Sequence, residues 1–143
     1  MKKALLISVL AMISANCATT TLPTPSTPTA SPPELSMKEK IVRLTLAMQV
    51  TEAYCGLAMK HPNVRADKNK FVRVLEACGR AYGKILDDTK KLRDENSDPQ
   101  WTQALAAAVK ILTDTVRTYD EIRDCLVNSK NETEATICLK KVS

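Results

Sequence analysis

The sequence predicts an all-α fold: a small antiparallel bundle of three long helices plus a short C-terminal helix, stapled by disulfides. Three observations predict it. Apolar residues recur at alternating steps of four and three through three long stretches, the spacing of a single helical stripe. Ala, Leu, Lys, Glu and Arg abound there, and the two prolines beyond residue 36 stand at stretch boundaries. Four cysteines, Cys55, Cys78, Cys125 and Cys138, lie on or beside the helical stripes and are expected to point inward. With 143 residues the chain has material for one domain and not two.

The elements follow in chain order. Lys2 and Lys3, then the apolar run 4–13, read as an export signal over residues 1–16. A run of about ten apolar residues is shorter than the roughly 17–25 that a membrane-spanning helix needs. Ser14, Ala15 and Asn16 lead directly into Cys17. This order resembles a bacterial lipoprotein signal, in which a lipobox precedes the cysteine that becomes the lipidated N-terminus. Ser14 stands where the commonest pattern has Leu, and Asn16 where it has Gly, Ala or Ser. Looser lipoboxes of this kind resemble those of spirochaetes and some other diderm bacteria. The resemblance covers residues 1–17 only. It implies a membrane anchor on Cys17 and a place in the bacterial cell envelope, at the outer membrane facing the periplasm. The alternative is cleavage by the ordinary signal peptidase near Ala15 or Ala18, giving a secreted chain without lipid.

Residues 17–36 form a Thr/Pro/Ser-rich linker. Its five prolines, at 23, 25, 28, 32 and 33, remove backbone donors, and its small hydroxyl residues bury little. In polyproline II geometry it reaches on the order of 60 Å from its anchor. The helical domain occupies 37–143. Ser36-Met37-Lys38-Glu39 matches a capping box, and Met37, Ile41, Leu44, Met48, Thr51, Cys55 and Ala58 form the first stripe. His61-Pro62-Asn63 ends that helix, because the residue before proline is pushed out of helical geometry. Asp67 is placed to cap a second helix with the stripe Phe71, Leu75, Cys78, Tyr82, Ile85, Thr89 and Leu92. Gly79 and Gly83 share one face of it and suggest close approach of a neighbouring helix.

A third helix opens at Asn96-Ser97-Asp98-Pro99, with Asp98 or Ser97 as cap and Pro99 in the first turn. Its stripe is Trp101, Leu105, Ala108, Leu112, Thr115, Tyr119, Ile122 and Leu126. The run breaks at 128–131. A short fourth helix then starts near Glu132, capped by Asn131 with Glu134, and carries Ala135, Cys138, Leu139 and Val142.

Five cysteines are an odd number, and lipidation of Cys17 leaves an even set of four. Export favours disulfides. Of the three connectivities, nearest-hairpin pairing of Cys55 with Cys78 and Cys125 with Cys138 comes first. The depths of Cys55 and Cys78 match imperfectly, so pairing across the hairpins stays open.

The residues exclude several chemistries. His61 is the only histidine and no Cys-x-x-Cys pair occurs, so neither a zinc site nor any other metal or cofactor is expected. No phosphate loop, nucleophile elbow or catalytic constellation is present, which predicts a non-enzymatic protein. The formal charge of +5 includes Lys2 and Lys3 and is mixed with acids throughout, which does not fit nucleic acid. One cluster of cations stands out: Lys60, Arg65, Lys68, Arg73 and Arg80, with Lys70 and Lys84 nearby, around the first interhelical loop. Together these features predict a membrane-anchored lipoprotein whose helical domain binds an envelope or secretion partner protein, and small disulfide-bonded helical lipoproteins of this kind resemble secretion pilotins. The alternative function is a carrier of a small apolar ligand or lipid, with a cavity lined by Met48, Phe71, Tyr82 and Leu112.

Overall fold

A computed structural model describes residues 35–140. The predicted signal, Cys17, most of the linker and Val142 lie outside the described residues. The described chain is helical, in the order α1 (Met37–Lys60), α2 (Pro62–Arg65), α3 (Lys68–Glu95), α4 (Pro99–Asn128) and α5 (Glu132–Lys140). The three long helices and the short C-terminal one are therefore as the sequence predicts. The single turn α2 is additional. Its residues were expected to be loop, but His61 leaves helical geometry with ψ 128° and its Nδ1 then accepts from the Asn63 backbone N–H at 3.3 Å. Pro62 sits in the first turn, where its missing donor costs nothing.

Each helix start is closed by the residue type the sequence places there. At α1 the Ser36 backbone N–H donates to Glu39 Oε2 at 2.8 Å, and the Glu39 N–H donates to Ser36 Oγ at 3.3 Å. Asp67 Oδ1 accepts from the N–H groups of Asn69 and Lys70 at 2.9 and 3.1 Å. Asp98 rather than Ser97 caps α4, accepting from Gln100 N–H at 2.9 Å. Asn131 and Glu134 exchange bonds at the start of α5, as expected.

The core is built in three layers along the bundle. At one end Ile41, Leu92 and Leu105 pack together, with Met37 and Trp101 against them. In the middle Met48, Cys55, Cys78, Tyr82, Ile85, Leu86 and Leu112 form the largest layer. At the other end Phe71, Leu75, Ile122, Leu126 and Cys138 pack together. α1 supplies buried residues to the first two layers and only the partly buried Met59 to the third, where α5 contributes Cys138. α3 runs through all of them and meets both α1 and α4, so it is the helix on which the bundle is assembled.

Two disulfides join the neighbouring helices, Cys55 with Cys78 and Cys125 with Cys138, with Cα separations of 5.9 and 5.7 Å. This is nearest-hairpin pairing. The difference in depth noted above does not prevent the Cys55–Cys78 bond. Both bonds stand towards the same end, where Lys68 Nζ also donates to the Ser129 carbonyl at 2.8 Å and ties the start of α3 to the end of α4. Gly79 and Gly83 do not mark a helix contact that demands glycine. A Cβ on Gly79 would sit in ordinary contact with Tyr119 Cβ at 3.6 Å, and one on Gly83 would meet nothing within 4 Å.

Candidate functional site

Three places merit examination as sites: the polar groove between α3 and α4, the cation cluster, and the outward side of α1.

The groove holds about 350 Å³ and is lined by Glu76, Gly79, Arg80, Val116, Asp120 and Arg123. Its charges are mixed and partly satisfied. Arg123 donates to Asp120 at 2.8 Å and to Asp124 at 2.8 Å, and those bonds raise its pKa further. Nearby, the rings of Tyr82 and Tyr119 stack with centroids 5.5 Å apart. Burial pushes the Tyr82 phenol above its ordinary pKa, and Tyr119 and Glu52 add to it. Tyr119 is raised by burial and then by Glu52. Both phenols therefore stay protonated at neutral pH and act as packing groups with a polar tip. The residues proposed to line an apolar cavity are themselves core: Met48, Tyr82 and Leu112 share the middle layer, and Phe71 belongs to the end layer.

The expected cation cluster is exposed. Lys60 ends α1, Arg65 ends α2, and Arg73 and Arg80 stand two turns apart on α3, on the side away from its buried stripe. Lys68 differs from the others, because its ammonium is held on the Ser129 carbonyl. Among the described residues, Lys60, Arg65, Arg73 and Arg80 form no ion pair within 4.0 Å. Several cations further along the described chain are paired, although Lys84, Lys110, Lys130 and Lys140 are not. Lys90 meets Asp87, Lys91 meets Glu95, Arg93 meets Asp94, and Arg117 meets Asp114 and Glu121. The acids of α4 are thus paired with arginines of their own helix, and Lys60, Arg65, Arg73 and Arg80 are left without an ion pair, although Arg80 lines the groove beside Glu76 and Asp120.

The outward side of α1 is the feature that sequence reasoning missed. Val42, Leu46, Val50, Tyr54 and Leu57 are between 50% and 74% exposed. At about 100° per residue they form one stripe, roughly opposite the buried stripe of Ile41, Met48 and Cys55. The signal was present as an apolar repeat of four, but it was masked by the neighbouring repeat of three and four that reaches the core. Among the described residues, no group of three or more His, Cys, Asp or Glu side chains is arranged to hold a metal, and no helix is long and apolar enough to cross a membrane. No family, curated relative or solved structure matches the chain.

Proposed function

We propose that the chain is a non-enzymatic lipoprotein, anchored in the bacterial cell envelope through Cys17, whose helical domain docks an acidic surface of an envelope partner protein. The anchor rests on the sequence pattern of residues 1–17 and on one structural observation that carries it. The four cysteines of the domain are joined in two pairs, and Cys17 is the fifth cysteine of the sequence. A leftover cysteine in an exported chain needs a chemical fate, and acylation directly after a signal of this kind supplies one. The Thr/Pro/Ser-rich linker then sets the domain off the membrane surface, with outer membrane facing the periplasm as the proposed location.

The docking side is supported by the unpaired cations Lys60, Arg65, Arg73 and Arg80. Four exposed positive groups that form no ion pair within 4.0 Å raise the local potential and attract an acidic partner from a distance. Lys68 is set apart from this group because removing it breaks the tie to Ser129 and would confuse binding with folding.

Intact-mass measurement of the membrane fraction, against a Cys17→Ser variant, tests the anchor. The expected result is a diacylglyceryl-sized mass on the native chain and release of the variant from the membrane. An unmodified chain recovered from the medium would replace the anchor with ordinary secretion. For docking, a variant with Lys60, Arg65, Arg73 and Arg80 changed to Glu should keep its helical circular dichroism and lose a salt-sensitive envelope partner in cross-linking. Retention of that partner at full yield would overturn the assignment of these residues.

A further inference from the structure

The two disulfides stand in different surroundings. Cys55 and Cys78 are each 1% exposed and sit inside the middle layer of the core. Cys138 is 3% exposed, but its partner Cys125 is only partly buried and packs against the end layer. A thiolate breaks a disulfide only where it can reach a sulfur, so the Cys125–Cys138 bond is the more accessible of the two.

α5 also depends on its bond more than α1 does. It has 9 residues, and helices this short are marginal in water by themselves. Its one buried residue is the disulfide cysteine itself, whereas α1 buries Ile41 and Met48 besides Cys55. Ala135 and Leu139 add partly buried contacts, and Ile137 faces water. The capping bonds of α5 join Glu134 to Lys130 and Asn131, within the same segment. Among the described residues, no hydrogen bond or ion pair joins α5 to another helix.

We propose that Cys125–Cys138 is a redox latch: reduction by a dithiol releases α5 and uncovers the end layer of the core. A thiolate of the dithiol attacks Cys125 Sγ and forms a mixed disulfide, while Cys138 leaves as a thiolate and takes up a proton. The second thiol of the dithiol then closes on the mixed disulfide and frees Cys125, which is protonated in turn. The dithiol is oxidised to its own disulfide, and the protein bond is reduced to two thiols. With α5 released, Phe71, Ile122 and Leu126 lose part of the cover that keeps each of them buried. Met59 and Val64 pack against the same layer and directly precede Lys60 and Arg65, so the opened surface is apolar with cations near its edge. The latch depends neither on the lipid anchor nor on the docking proposed above.

The test is a dithiothreitol titration of the full chain carrying Cys17→Ser, with free thiols trapped by N-ethylmaleimide and located by peptide mass. Cys125 and Cys138 should be labelled well before Cys55 and Cys78. At that stage hydrogen exchange in α5 should rise about a hundred-fold, the loss expected when a short loop is no longer closed, while α3 keeps its protection. An apolar dye such as anilinonaphthalene sulfonate should bind in step with the exchange. The double variant Cys125→Ser, Cys138→Ser should show the same exchange and dye binding without any dithiol. Labelling of Cys55 and Cys78 first, or of all four together, would overturn the selectivity on which the latch rests. Full protection of α5 after reduction, or in the double variant, would show that packing alone holds it and overturn the proposal. Release of α5 without dye binding would overturn the uncovered surface.

Discussion

α1 and α3 are close in length, 24 and 28 residues, and lie against each other, yet they are held in the bundle by different means. α3 buries eight residues on one broad face that serves two neighbours at once. α1 buries three, one in every seven residues, and one of them is a disulfide cysteine. Met37, Leu44 and Met59 pack partly buried beside them, while Val42, Leu46, Val50, Tyr54 and Leu57 stand on the far side in water. The amount of apolar surface in a helix therefore does not decide how firmly it is held. Its distribution around the axis does, and where one narrow spine is all that reaches the core, a covalent bond supplements it.

The largest expected effect probes the packed side of this contrast. Leu75 on α3 and Leu112 on α4 are almost fully buried, so Leu75→Ala or Leu112→Ala should cost about 2–5 kcal/mol in urea unfolding. Leu46→Ala on the open side of α1 should stay within about 0.5 kcal/mol under conditions where the chain is monomeric. Comparable losses at both sites would show that α1 is buried in solution. Next in size, replacing Cys55 and Cys78 together by Ala should cost about 3 kcal/mol by loop entropy. Hydrogen exchange should then rise in α1 well before it rises in the α3–α4 hairpin. A uniform increase would mean that α1 is held as firmly as α3 by packing alone.

Smaller changes refine the comparison. Ser36→Ala removes the hydroxyl half of the capping box and should cost about 1 kcal/mol, read as thermal unfolding. That cap is also pH-sensitive. Hydrogen bonds from the Ser36 backbone and then its hydroxyl hold the Glu39 carboxyl below its ordinary pKa. Its contribution is present above the ordinary carboxylate range and is lost as the pH falls through the lowered value. The difference between native and Ser36→Ala chains should therefore narrow in acid, and a constant difference would contradict the assignment. The smallest effect has the opposite sign. Gly83→Ala and Gly56→Ala meet no atom within 4 Å and should each stabilise by about 0.5–1 kcal/mol, from improved helix propensity.

Most of the frame was legible because caps and stripes are local. Ser36, Asp67 and Asn131 announce helix starts within three residues of themselves, and the buried residues of α3 are the predicted stripe with Leu86 added. What was not legible depends on partners distant in sequence. Pro62 reads as a stop, but only the His61 geometry turns the loop into a helical turn. Gly79 and Gly83 read as a packing signal because sequence cannot tell which face of α3 meets a neighbour. Arg73 and Arg80 could be seen as basic, but whether the acids of α4 would neutralise them depended on Arg117 and Arg123 claiming those acids first. The second stripe of α1 was hidden for the same reason, since periodicity identifies an apolar side without saying whether anything covers it.

The position of the Cys55–Cys78 bond also sets how the domain answers a pull on its N-terminus. Tension entering at Ser36 meets the Ser36–Glu39 cap first, then Ile41 and Met48, each a full heptad apart and breakable in turn. At Cys55 the peeling front meets a covalent stop, and beyond it the load is shared by α3 across its eight buried residues. The 37–54 segment can thus lengthen to about 60 Å while the rest of the bundle keeps its shape. α1 is in this sense a shock absorber of fixed travel, with the disulfide as its end stop.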